Sequence, residues 1–197
     1  MKNIVILISG GGSNMAAIVR ASQQQDWARR YGARVAAVVS NKAEASGLVF
    51  AREQGIATEV LDHRPFPSRE AFDAELAQVI DRNAPSLIVL AGFMRILTPG
   101  FVAHYEGRMI NIHPSLIPSF CGEGFYGLHV HEAALARGVK VTGATVHYVN
   151  EICDGGEIIA QRAVSVKRGD TPETLQRRVM ELRSEERRVG KECRSRW

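Results

Sequence analysis

Short, almost wholly apolar runs alternate with amphipathic stretches through the first half of this chain, and that alternation limits the folds open to it. Residues 4–8 read Ile-Val-Ile-Leu-Ile, residues 34–39 Arg-Val-Ala-Ala-Val-Val and residues 87–91 Leu-Ile-Val-Leu-Ala. A strand with apolar side chains on both faces must be covered on both faces, as in a parallel sheet flanked by helices. The intervening segments have helical character. One is expected over residues 13–24 after a glycine-rich turn, and one over 43–54, stopped by Gly55. Ser68 can cap a third, in which Phe72, Leu76, Val79 and Ile80 keep helical spacing. A short strand is expected at 57–61, and Pro85 is expected to end the connection before 87–91. The resulting βαβαβαβ order predicts an α/β fold with a mostly parallel, doubly wound, Rossmann-like sheet in a single domain. Further on, strands are expected at 108–112, 141–148 and 157–166, with a helix at 130–137. Asp170-Thr171-Pro172-Glu173 opens another: a capping residue, Pro at the first helical position and an acid in the first turn.

Composition excludes several classes of function. Of 197 residues, 45% are apolar and 23% charged, the profile of a globular protein, and no apolar run is long enough to span a membrane. The net charge of +4 is concentrated at one end. Residues 183–197 hold six basic and three acidic groups, whereas the other 182 residues hold 19 and 18. The nearly neutral body is no platform for nucleic acid. The start of the chain enters a strand and a glycine turn directly, without the cleavage pattern of a signal peptide, so a cytoplasmic protein is expected. Cys121, Cys153 and Cys193 are odd in number and widely spaced, which fits neither a disulfide framework nor a metal knuckle.

Four segments carry chemistry. Ser9-Gly10-Gly11-Gly12-Ser13-Asn14 lies between the first strand and its helix, where close backbone approach and a helix N-terminus favour an anion such as phosphate. No Lys follows, so it is not a nucleoside triphosphate loop, and Met15 stands where a dinucleotide fingerprint needs Gly. In Asn111-Ile112-His113-Pro114, a strand end puts Asn111 and His113 on the same side. The amide can donate to a developing oxyanion and the imidazole can pass a proton near neutral pH, but Asn-x-His read by itself favours a core histidine satisfied by a neighbour. Asp154-Gly155-Gly156, read by itself, is a turn. Residues 90–99, after the fourth strand, lie where open parallel sheets bind ligands; Phe93, Met94, Ile96 and Leu97 there would suit a flat heterocycle, or simply pack in the core.

Taken together these segments resemble the glycinamide ribonucleotide formyltransferase family. The matching residues are Ser9-Gly10 with Gly12-Ser13-Asn14, Ser40-Asn41-Lys42-Ala43, Ala91 to Leu97, Asn111 to Leu116, Gly127-Leu128-His129 with His131, and Asp154-Gly155-Gly156, in family order from residue 3 to about 182. The resemblance implies the formyltransferase fold, with 10-formyltetrahydrofolate as co-substrate, no metal, and transfer of its formyl group to the amine of phosphoribosylglycinamide in purine synthesis. It implies that Asn111, His113 and Asp154 form the catalytic group. Gly12, Ser13, Asn14, Met15 and Ala16 would bind the substrate phosphate; Arg69, Met94, Arg95, Ile96, Leu97 and Asn111 would bind folate. Asp154 beside His113 would favour the imidazolium. The implied partners are small molecules, with no nucleic acid or membrane, and the implied state is a monomer or homodimer. The rival readings are a formyltetrahydrofolate hydrolase, a formyltransferase acting on methionyl-tRNA, and a nucleotide-binding remnant without catalysis.

Two departures from the family bear on these expectations. Cys121 to Tyr126 is a longer, Gly-rich loop than many members have, read as a branch variant that alters how the phosphate side closes. At the C-terminus the family continues with Glu-His and further elements, whereas here Arg183-Ser184 follows. Residues 1–182 are therefore expected to form a C-terminally truncated formyltransferase domain. Residues 183–197 are expected to be a non-native basic tail resembling the translation of a DNA-sequencing adapter. A genomic read that continues from Leu182 into the same tail would refute that reading.

Overall fold

The computed structural model describes residues 1–182; the expected non-native tail lies outside them. The elements follow in the order β1 (Lys2–Ile8), α1 (Ser13–Gln24), α2 (Trp27–Tyr31), β2 (Ala33–Ser40), α3 (Ser46–Glu53), β3 (Ala57–Val60), α4 (Arg69–Asp81), β4 (Pro85–Leu90), α5 (Pro99–His104), β5 (Met109–His113), α6 (Leu128–Arg137), β6 (Val141–Tyr148), β7 (Ile158–Ser165) and α7 (Pro172–Leu182). The hydrogen-bonded strand order is β3-β2-β1-β4-β5-β6-β7. Contacts divide the described residues into two compact units, 1–112 with 147–157, and 113–146 with 158–182.

In the first unit β1 to β5 are all parallel. Alternate side chains of β1 enter two separate cores, because successive residues of a strand point to opposite faces. Ile4, Ile6 and Ile8 pack with Met15, Val19, Leu48 and Ala51 of α1 and α3. Val5 and Leu7 pack with Phe72, Leu76, Val79 and Ile80 of α4 and with Phe101 and Val102 of α5. The all-apolar run of β1 is thus explained by helices on both faces, and each fully buried large side chain contributes about 1.5–3 kcal/mol.

Three local features differ from the sequence expectation. Pro85 opens β4 rather than ending the connection before it; the first position of a strand tolerates a residue with no N–H. Residues 99–104 form α5, with the Thr98 hydroxyl accepting from the Phe101 amide and Pro99 in the first turn. The short α2, capped by Asp26, buries no residue, so no apolar periodicity announced it.

In the second unit α6 and α7 accompany the β6–β7 hairpin. Tyr148 N donates to Glu157 O at one end and Val166 N to Lys140 O at the other, so the two strands are antiparallel. A Cβ on Gly143 would meet Arg162 O at 1.8 Å, so only glycine lets β7 approach β6 there. Thr145 organises the loop after β5: its hydroxyl donates to Ser115 O and accepts from Ile117 N. Of β7, every residue except Val164 is exposed.

Candidate active site

The carboxyl ends of β1, β4 and β5 carry the first site elements, all within the first unit. Leu7 pairs with Leu90, and Leu90 with Asn111, so one row of residues runs across three neighbouring strands just before their ends. β1 lies between β2 and β4, where the winding of the sheet reverses; ligands of doubly wound sheets bind outside the strand ends at such a point.

After β1 the chain turns through Gly10 and Gly11 into α1. Gly12, with φ 65°, takes the capping position in the left-handed region, and no side chain caps the helix. The Ala16 amide donates to Gly12 O at 2.8 Å, closing the first turn. Ser13, Asn14 and Met15 hold the amides that helix geometry leaves without an intrahelical acceptor, and the positive end of the helix dipole lies there. The loop is fitted closely to α3. Gly47 N donates to Gly10 O, and a Cβ on Gly47 would come within 2.7 Å of Ile8 Cδ1 and 3.1 Å of Gly10 O. The side chains of Met15 and Ala16 are buried in the core, so any part they have in anion binding falls to the backbone, with Ala16 already engaged.

Ser9 ties this loop to the segment after β4. Its buried hydroxyl donates to Asn41 Oδ1 at 2.6 Å and accepts from Met94 N at 2.8 Å. The far end of the segment is held by buried Asp73, whose carboxylate accepts from Thr98 N at 2.7 Å. Between the two anchors Met94 is 50% and Ile96 62% exposed, while Phe93 and Leu97 pack against the core. The Arg95 guanidinium lies over the Phe72 ring, 5.4 Å from its centroid, and its Nε is buried without a hydrogen-bond partner. Arg69 occupies the first turn of α4 and is exposed. The result is an apolar lip of fixed backbone at the strand ends, the surface a flat heterocycle needs.

Asn111 meets Asp154 and His147 in the same unit. Its Nδ2 donates to Asp154 Oδ1 at 3.3 Å and lies 3.2 Å from His147 Nε2; that ring nitrogen is 3.5 Å from Asp154 Oδ1. The side chains of His147 and Asp154 are 2% and 8% exposed. Asp154 has φ 53°, a left-handed conformation that Asp tolerates better than most residues and that recurs where function demands it. The two glycines that follow are forced by closure of the turn. A Cβ on Gly156 would meet Tyr148 O at 1.7 Å, and one on Gly155 would meet Ile152 Cγ2 at 2.5 Å. The turn reading and the carboxylate reading of Asp154-Gly155-Gly156 therefore both apply.

His113, in the second unit, ends β5. It is 4% exposed, and Nε2 is 2.8 Å from Phe120 O. A carbonyl oxygen only accepts, so Nε2 carries a hydrogen. The longer loop is organised around the Phe120 and Phe125 rings, 6.4 Å apart, with Phe125 N donating to Gly122 O.

Comparison with known proteins decides the family. The formyl transferase family model matches residues 2–187. The chain belongs to the formyl transferase family. Among its relatives, the phosphoribosylglycinamide formyltransferase of Escherichia coli K12 is 49% identical over 177 residues, covering 90% of this chain and 79% of that protein. The trifunctional purine biosynthetic protein adenosine-3 of Bos taurus is 46% identical over 176 residues, 89% of this chain but only 16% of that much longer protein. The crystal structure of glycinamide ribonucleotide transformylase 1 from Symbiobacterium toebii superposes with a TM-score of 0.85 at 41% identity, covering 93% of this chain and 82% of that one. The doubly wound α/β fold is that of the formyl transferases.

Within this formyl transferase, the structure brings Asn111 and Asp154 together and sets the glycine loop and the 94–97 segment at adjoining strand ends. Sequence reasoning had no role for His147, Gly47 or Asp73. A histidine one residue before the end of a strand carries no distinguishing signal. The close helix approach at Gly47 is legible only in three dimensions. Asp73 sits on the apolar face of α4, and a carboxylate on a buried helical stripe was the available clue.

Proposed function

We propose that this formyl transferase moves the formyl group of 10-formyltetrahydrofolate to the amine of phosphoribosylglycinamide, a step of purine synthesis. The observation that carries the reading is the part-buried Asn111–Asp154 pair, in the row of strand ends that also holds the uncapped glycine loop. The amides of Ser13 and Asn14 and the Ser13 hydroxyl would take the substrate phosphate. The exposed apolar edge of Met94 and Ile96, together with Arg69, Arg95 and Leu97, would take the folate.

The reaction forms one C–N bond to the formyl carbon and breaks another, with a proton passing from the attacking to the leaving nitrogen. Asp154 accepts a hydrogen bond from the incoming amine, or from a water that relays its proton. As it does so, Asn111 gives up its long 3.3 Å bond to that carboxylate and offers the N–H to the developing oxyanion. His113 as the imidazolium, with Nε2–H on Phe120 O, would supply the second donor from Nδ1 and pass that proton to the leaving nitrogen, and the proton relayed from the amine would restore it. A preorganised donor of this kind contributes about 3–4 kcal/mol to the transition state. The enzyme works in the cytoplasm on small molecules, as a monomer or homodimer.

The test is absorbance-monitored consumption of 10-formyltetrahydrofolate with and without phosphoribosylglycinamide. Turnover only with the ribonucleotide is expected. Equal turnover in its absence would make the protein a hydrolase and overturn the proposal.

A further inference from the structure

His147 is nearly fully buried, yet no step above uses it. For the neutral ring its surroundings admit one hydrogen arrangement, Asp154 Oδ1 lying further from Nε2, at 3.5 Å, than Asn111 Nδ2 does. Nδ1 lies 2.8 Å from Tyr148 O, which can only accept, so Nδ1 carries a hydrogen. In the neutral ring Nε2 is then a bare acceptor. The group facing it is Asn111 Nδ2, at 3.2 Å. The same nitrogen faces Asp154 Oδ1, a second atom that can only accept. Turning the Asn111 amide over would set its oxygen against both a carboxylate and a bare ring nitrogen. The backbone carbonyl of Tyr148 thus determines the imidazole tautomer, and the tautomer determines which way the amide points.

We infer that His147 is a positioning residue that fixes the orientation of the Asn111 amide, using the tautomer imposed by the Tyr148 carbonyl. This rests on the reading of Asn111 as a catalytic donor. With one N–H anchored on Nε2, the other is held in the amide plane toward Asp154, and that N–H is the one exchanged to the oxyanion. Without the anchor only the long bond to Asp154 orients the amide, and rotation turns its oxygen toward the developing negative charge. The chemical step loses its donor while the substrate contacts of the glycine loop and of the 94–97 segment stay intact.

Two measurements test this. Nitrogen-15 NMR of the histidines in the wild-type protein should show His147 as the Nδ1-protonated neutral tautomer. An Nε2-protonated ring would overturn the inference, and this readout needs neither activity nor a variant. In kinetics, His147→Leu should lower kcat by up to about 10²-fold, the scale of a misplaced catalytic group, with KM for both substrates within a few fold. His147→Gln, whose side-chain oxygen can accept from Asn111, should recover much of that loss. Unchanged kcat in a folded His147→Leu variant, or equal losses in the Leu and Gln variants, would overturn the inference. If wild-type protein lacks ribonucleotide-dependent turnover, the functional reading fails, while the tautomer measurement still decides the positioning claim.

Discussion

Ser9 has one hydroxyl and uses it in both directions, giving a hydrogen bond to Asn41 and receiving one from Met94 N. Ser9→Ala strips the buried Asn41 oxygen and the part-buried Met94 amide of their partner, and a buried group left unsatisfied costs about 1–3 kcal/mol. Urea denaturation of Ser9→Ala should therefore show a loss of about 1–3 kcal/mol, and folate KM should rise because the Met94 segment is no longer tethered. Wild-type stability and folate KM together would contradict the bridge. At this scale the glycine loop with Ser13 and Asn14 stood out in the sequence as a candidate anion site, whereas Asn111 and His113 read by themselves fitted a core histidine and became catalytic candidates only through the family pattern. Asp154 was legible only through the family pattern, since Asp-Gly-Gly alone describes a turn. His147 was not legible, because its importance lies in the Tyr148 carbonyl and the Asn111 amide that folding brings to its two nitrogens.

Elements converge on the site through backbone contact as much as through side chains. α3 approaches the glycine loop at Gly47, where a methyl group would press on Ile8 Cδ1, Gly10 O and Gly12 Cα. Gly47→Ala should displace the loop, raising KM for the phosphorylated substrate more than for folate and costing about 1–3 kcal/mol through overpacking. Titrations of each substrate check the asymmetry. In the second unit α7 is tied at its start by Arg178, which makes two bonds of 2.6 and 2.7 Å to the Asp170 carboxylate. Those bonds, with smaller help from the Lys167 amide, hold the Asp170 carboxyl well below the usual carboxylate range. The folded-state value is depressed, so the stabilisation is complete above the unfolded value near pH 4 and is lost as pH falls through the lower folded value. Arg178→Ala should cost about 1–2 kcal/mol near neutrality, and the gap to wild type should close in acid. A gap that stays constant down to about pH 2 would exclude the pair as its source. The Asp-Thr-Pro-Glu signal of this helix was plain in the sequence. The short α2, with no buried face, and α5, whose Thr98-Pro99 start was absorbed into the apolar lip, were not.

For the molecule as a whole, the continuous apolar run of β1 was enough to require helices on both faces, and from that the doubly wound sheet and the location of its ligand edge followed. Sequence pattern could not give the exposure of β7, since a strand's cover is set by what packs on it and not by its own alternation. The proposed chemistry rests on Asn111, His113 and Asp154 as the groups that would carry formyl transfer. The most direct measurement is the single-turnover rate of formyl transfer to phosphoribosylglycinamide by Asp154→Asn, with both substrates saturating and folding verified by circular dichroism. We predict a fall of about 10²–10⁴-fold in that rate, the scale of a lost proton-transfer group. A folded Asp154→Asn variant that transfers formyl at the wild-type rate would contradict the claim.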